Sequence, residues 1–134
     1  MLIKKSRNSK IKNRVKRRHS KKQSKNQVKV SKKAVIGAKG VVTIPEGTKE
    51  ITKYKYRFNY DMTRINFPDS LKTIGEGAFY SCNKLQSVTL PDSVTFIGER
   101  CFSYCGSLKE IVLPPKLTSI EIGAFRFCSL ESVV

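Results

Sequence analysis

Residues Thr89–Ile111 read TLPDSVTFIGERCFSYCGSLKEI. Cys101 and Cys105 stand four apart, just after Glu99 and Arg100. On a helix that spacing shares one face, so the stretch invites a metal clip or a redox pair. The flanking sequence gives a different answer. Pro45, Pro68, Pro91 and Pro114 recur every 23 residues. Ile44, Phe67, Leu90 and Leu113 precede them, and Thr48, Leu71, Val94 and Leu117 follow. Next come Ile51, Ile74, Ile97 and Ile120, then the aromatics Tyr56, Phe79, Phe102 and Phe125. Asn59, Cys82, Cys105 and Cys128 fill the next column. Met62, Leu85 and Leu108, with Ile65, Val88 and Ile111, close the cycle. In the last repeat Leu130 and Val133 arrive one residue early, so one residue is deleted there. A fixed period of this length marks a stacked-repeat protein.

The physics of one unit follows from its pattern. Leu85, Val88 and Leu90 point inward from a short extended segment, while Ser87 and Thr89 alternate outward. Proline ends the strand because it has no N–H for a ladder, and the following Asp-Ser makes a turn. Val94 and Ile97 turn in again. Gly98 is read as supplying a special backbone angle. Phe102, Cys105 and Leu108 follow at spacing three, which suits a short 3₁₀ or α turn. One unit cannot bury its apolar side alone; about four stacked units share a continuous core, with strands about 4.8 Å apart.

The units INFPDSLKTIGEGAFYSCNKLQSV, TLPDSVTFIGERCFSYCGSLKEI and VLPPKLTSIEIGAFRFCSLESVV resemble the BspA-like leucine-rich repeat family. The resemblance covers Ile65 to Val134 and reaches back more loosely to Val41. It implies a β-solenoid with one sheet along a face. It also implies a role in binding proteins or in adhesion, since family members are often surface or secreted proteins and also occur in protists and large viruses.

Charge divides the chain. Residues 1–33 hold 15 of the 27 Lys and Arg and no acid, while 34–134 hold the other 12 against all 10 acids. The arm lacks aromatics and cannot bury enough apolar surface to offset ordering entropy, so it is expected to be disordered. The domain plan is therefore a disordered polybasic arm (1–33), a divergent first repeat or N-terminal cap (34–64), and leucine-rich repeats with an incomplete last one (65–134). Within the arm, Lys12, Arg14, Lys16, Arg17, Arg18, Lys21 and Lys22 are candidate polyanion-binding residues, for nucleic acid or an anionic membrane. No run is long and apolar enough for a membrane span. The start, MLIKKSRNSK, lacks the apolar stretch of a secretory signal. Lys outnumbers Arg, against a mitochondrial transit peptide. The expected compartment is intracellular, nuclear where the basic cluster serves as an import signal.

The first and last units depart from the pattern. ITKYKYRFNYDMTR places Lys55 where Ala78, Cys101 and Ala124 stand. Two readings fit: a degraded capping repeat, or a twisted strand. The strand would put Tyr54, Tyr56, Phe58 and Tyr60 opposite Lys53, Lys55 and Arg57, suiting single-stranded nucleic acid. Glu121 replaces the Gly75/Gly98 column; a positive φ there would strain it. The sequence stops inside a strand with no capping repeat, and two readings fit: this end pairs with a partner, or the chain is a short or truncated family member.

Little supports chemistry. The cysteine column reads as buried small side chains, and it advances one repeat at a time instead of converging on a metal. The only histidine, His19, lies in the arm. Repeated carboxylates form stripes, not pairs in unlike surroundings. No cofactor is expected. The reading is a non-enzymatic interaction protein, whose binding face is the outward side of the strand ladder at Arg64, Asn66, Ser87, Thr89, Glu110 and Val112. The partner is a protein of unknown identity. The alternatives are a nucleic-acid-associated basic protein working through its arm, and a surface adhesion protein.

Overall fold

Each proline of the 23-residue period turns the chain out of one short strand and towards the next. The carbonyls of Pro45, Pro68, Pro91 and Pro114 accept the N–H three residues later, at 3.1–3.3 Å. The computed structural model describes residues 35–36 and 40–134. The expected disordered arm, with all its candidate polyanion-binding residues, lies outside the described residues.

Two strand ladders run along the stack. On the first face lie β1 (Val35–Ile36), β2 (Val41–Thr43), β4 (Arg64–Asn66), β6 (Ser87–Thr89), β8 (Glu110–Val112) and β10 (Ser132–Val133). On the second lie β3 (Glu50–Ile51), β5 (Thr73–Ile74), β7 (Phe96–Ile97) and β9 (Ser119–Ile120). Among the described residues all pairings between turns are parallel, and β1 alone pairs antiparallel, against β2. Val42 pairs with Ile65 and Val88 with Ile111, one repeat apart. Ser132 pairs with Glu110 instead, which absorbs the one-residue deletion without losing the ladder. The first face is interrupted between β4 and β6, although the Gln86 N–H still donates to the Thr63 carbonyl at 3.1 Å.

The third side is built differently. Ala78, Tyr80 and Cys82 donate their N–H to carbonyls three residues back, at 3.0–3.3 Å. The intervening Gly77, Phe79 and Ser81 donate to Glu99, Cys101 and Ser103 of the next turn, at 2.8–2.9 Å. The i→i+3 bonds of a 3₁₀ turn are present, but they alternate with bonds between turns. Two columns of left-handed residues make this possible: Tyr54, Gly77, Arg100 and Gly123, then Phe58, Ser81, Tyr104 and Phe127, with φ from 52° to 69°. A left-handed residue reverses the chain locally, so successive N–H groups point in different directions.

These angles correct two expectations. Gly98 does not supply the left-handed angle. It is needed because a Cβ there would lie 2.6 Å from the Glu76 nitrogen and 2.7 Å from the Gly75 carbonyl carbon. Glu121 therefore meets no left-handed strain; its N–H keeps the column's bond, to the Ile97 carbonyl at 2.9 Å. The twisted strand at Tyr54–Tyr60 does not form either. Tyr54 and Phe58 are left-handed, and Tyr54, Tyr56 and Phe58 donate to the carbonyls of Glu76, Ala78 and Tyr80. The interturn ladder outweighs local alternation.

Inward columns form the core. Ile51, Ile74 and Ile97 are fully buried, as are Phe79 and Phe102. Tyr56, Phe79, Phe102 and Phe125 stack nearly parallel, with centroids 5.2–5.6 Å apart. Each buried side chain of this size contributes about 1.5–3 kcal/mol. In urea unfolding, Phe102→Ala is expected to cost about 3–5 kcal/mol. Gly98→Ala should cost about 1–3 kcal/mol by forcing neighbouring turns apart. A Gly98→Ala protein as stable as the wild type would contradict the close-approach account.

Candidate interaction surface

The left-handed columns decide where side chains go. Phe102 points into the core; two residues on, Tyr104 points out and is 46% exposed. Phe58 and Phe127 occupy the same column and are 48% and 54% exposed. Half-buried Tyr80, one residue earlier in the period, fills the gap left by Ser81. The rings touch in sequence: Phe58–Tyr80 at 5.8 Å, Tyr80–Tyr104 at 5.4 Å and Tyr104–Phe127 at 4.6 Å. Tyr60 extends the stripe beside Phe58. One aromatic stripe thus crosses four turns of the solenoid.

Cations flank it. The Arg57 guanidinium lies over the rings of Tyr54 and Phe58, at 5.2 and 5.6 Å, and Arg126 lies over Phe127 at 4.7 Å. Tyr54, Arg57, Phe58, Tyr80 and Arg100 line an open pocket of about 250 Å³. Gly77 makes room for one wall, since a Cβ there would sit 2.3 Å from the Tyr54 ring. The nearby acids are engaged. Glu76 accepts from Lys53 Nζ at 2.6 Å and from the Tyr54 hydroxyl, and Glu99 pairs with Arg100 Nε at 3.4 Å. Arg57 has no carboxylate partner among the described residues. The hydrogen bonds from Lys53 and then Tyr54 hold the Glu76 carboxyl below its ordinary range. In turn, hydrogen bonding to Glu76 raises Lys53 and Tyr54.

The cysteines are structural donors. All four are free thiols. The S–H groups of Cys82, Cys105 and Cys128 donate to the carbonyls of Tyr56, Phe79 and Phe102, the aromatic rungs one turn back, at 3.1–3.3 Å. Burial pushes the Cys82 thiol up to about 11 and also raises Cys101. A hydrogen bond with Cys128, together with burial, raises Cys105. Thiols shifted this way are poor nucleophiles. At Asn59 the column changes role: its Oδ1 accepts the N–H groups of Met62 and Asp61, at 3.1 and 3.3 Å, and caps its own turn. Lys55 is exposed where the equivalent Ala78 and Cys101 are buried. Both replacements suit a turn with no repeat stacked on its outer side among the described residues.

The sequence-derived binding face lies on the outward side of β4, β6 and β8. Arg64, Asn66, Thr89 and Glu110 are exposed, and Ser87 and Val112 are half-buried. The break between β4 and β6 puts Arg64 and Asn66 in one sheet and the other four in another. Asn66 Nδ2 donates to Thr43 Oγ1 at 3.2 Å. Sequence reasoning missed Tyr80, Arg100, Tyr104, Arg126 and Phe127 as surface residues. The available signal was a second aromatic one or two residues after the inner one, in KYRF, AFYS, CFSY and AFRF.

Comparison with known proteins agrees with this geometry. The model of the BspA type leucine rich repeat region matches residues 40–134, with six copies. No curated protein sequence matches the chain. A solved structure, the crystal structure of T. pallidum leucine rich repeat protein, is similar at a TM-score of 0.60 and 28% identity. The match covers 75% of this chain and 60% of that protein.

The Glu76 contacts give a pH dependence with a definite sign. Its folded carboxyl titrates below the unfolded one, so its contribution is present above the ordinary glutamate pKa and lost as pH falls through the depressed folded value. Side-chain carboxyl NMR should show Glu76 titrating below the ordinary glutamate range. Lys53→Ala should move Glu76 upward; no movement would contradict the ion pair.

Proposed function

This chain belongs to the BspA type leucine rich repeat family, and on that premise we propose that it is a non-enzymatic protein-interaction module. The observation that carries this reading is the exposed aromatic stripe across four turns, flanked by Arg57, Arg100 and Arg126. Tyr, Phe and Arg are enriched at protein interfaces, and Tyr and Arg among their hot spots. Contiguous exposed apolar surface is uncommon on a protein with nothing to bind. The thiols of Cys82, Cys101 and Cys105 are raised and supply no activated nucleophile. Cys128 is lowered by its hydrogen bond with Cys105 but has no histidine beside it among the described residues. The paired carboxylates supply no pair of unlike acids. The outward strand face, from Arg64 to Val112, is the competing surface; its six candidates include no ring.

A photo-crosslinking residue placed at Tyr104, and separately at Thr89, tests the reading in extracts. Protein adducts from position 104, insensitive to nuclease, are the expected result. Adducts from position 89 alone would move the interface to the strand face.

A second reading is favoured by the segregation of charge, with 15 of the 27 Lys and Arg inside residues 1–33. A cationic arm of this density binds polyanions without reading sequence, and nuclear localisation would accord with it. Full-length protein and residues 34–134 are to be compared for nucleic-acid binding across a salt series. Strong, salt-sensitive binding by full-length protein alone is the outcome this reading requires; equal and negligible binding by both would remove it.

A further inference from the structure

We infer that the pocket lined by Tyr54, Arg57, Phe58, Tyr80 and Arg100 seats a carboxylate side chain from an extended, acidic protein segment lying along the aromatic stripe. This rests on the protein-binding reading above and names the chemistry of the partner.

Size, charge and preorganisation agree. The pocket, about 250 Å³, lies below the range of about 300 to 1,000 Å³ typical of small-molecule sites. Its lining holds two guanidinium groups and no carboxylate. Of the two acids beside it, Glu76 is held by Lys53 and Tyr54, and Glu99 is paired with Arg100 Nε at 3.4 Å, which leaves Arg57 as the lining guanidinium without a carboxylate among the described residues. Arg57 is already fixed over two rings, so little rotamer freedom remains to be lost on binding. A planar guanidinium fixed in this way can take a carboxylate through two parallel hydrogen bonds.

Charge also selects the occupant. The chain's own arm has no acid and cannot fill a cationic pocket, and a second copy of a chain with net charge +17 is repelled. The stripe has no room for a base inserted between two rings. A base between two rings needs about twice the ~3.4 Å stacking distance, whereas neighbouring rings stand 4.6–5.8 Å apart and already contact one another. An extended peptide fits better. At about 3.3 Å per residue, alternate side chains share one face, so a carboxylate in the pocket is followed by apolar residues over Tyr104 and Phe127.

NMR titration of the full-length protein provides the test. The probes are a capped hexapeptide, Glu-Ser-Leu-Ser-Phe-Ser, its Gln-for-Glu counterpart, and a thymidine hexanucleotide. The glutamate peptide is expected to shift the Nε signals of Arg57 and Arg100 and the amides of Tyr104 and Phe127. It should bind about tenfold more tightly than the glutamine peptide. Arg57→Gln, at an exposed position, should abolish that preference while leaving the amide spectrum of the core unchanged. Equal shifts by both peptides would overturn the carboxylate site yet leave the stripe as a protein-binding surface. A preference that survives Arg57→Gln would also overturn it, by moving recognition elsewhere. No shift on the stripe from either peptide would overturn it too, and absence of the Tyr104 cross-link as well would remove the broader reading. Stripe shifts from the oligonucleotide matching those from the glutamate peptide would overturn the choice of partner.

Discussion

Backbone N–H groups on one turn must find carbonyls on its neighbour, and in this chain they do so on three sides. On two sides parallel strands supply the bonds, at a register of one repeat. On the third, alternate residues reach the next turn while those between close local turns. Buried backbone groups are costly without partners, so the repeat length is held by all three sides together. Gly75 and Gly98 follow from the same constraint. They stand where adjacent backbones approach too closely for a Cβ. The cysteine column follows from it as well, since each thiol occupies a small space and bonds a carbonyl of the turn behind.

The third side links fold to surface. Six non-glycine residues there adopt a left-handed φ, at a cost of about 1–2 kcal/mol each. Bonding between turns holds them in place. Phe58, Tyr104 and Phe127 lie at these positions and project outward. The aromatic stripe is thus a by-product of how the turns bond, with side-chain identity layered on it. Gly77 adds a specific element by leaving space for the Tyr54 ring.

Inward columns were legible because burial restricts residue type. Proline, Ile, Phe and Cys recur at fixed offsets, and the solenoid, its turns and the deletion near Leu130 could be read from them. The left-handed columns were not. One holds Tyr, Gly, Arg and Gly, the other Phe, Ser, Tyr and Phe. Those sets share no propensity, because hydrogen bonds with the next turn impose the conformation. The conspicuous Gly98 therefore drew a backbone explanation that belongs to Arg100, two residues on. The site was half-visible for a related reason. The basic and aromatic residues of the first unit stood out, but their continuation through Tyr80, Tyr104 and Phe127 depends on which way each turn faces.

The constant offset between turns also shapes how the chain reaches this structure. Parallel strand pairs lie 22 or 23 residues apart, and the thiol–carbonyl contacts 26 apart, wherever they occur along the stack. Each new turn closes a loop of nearly the same length, so the entropy of closure is almost uniform from turn to turn. No single long-range contact governs assembly. Growth proceeds by adding one coil to a neighbour already formed, and any adjacent pair of coils can serve as the seed. Its rate is then set by coil-by-coil addition, not by a search for distant partners.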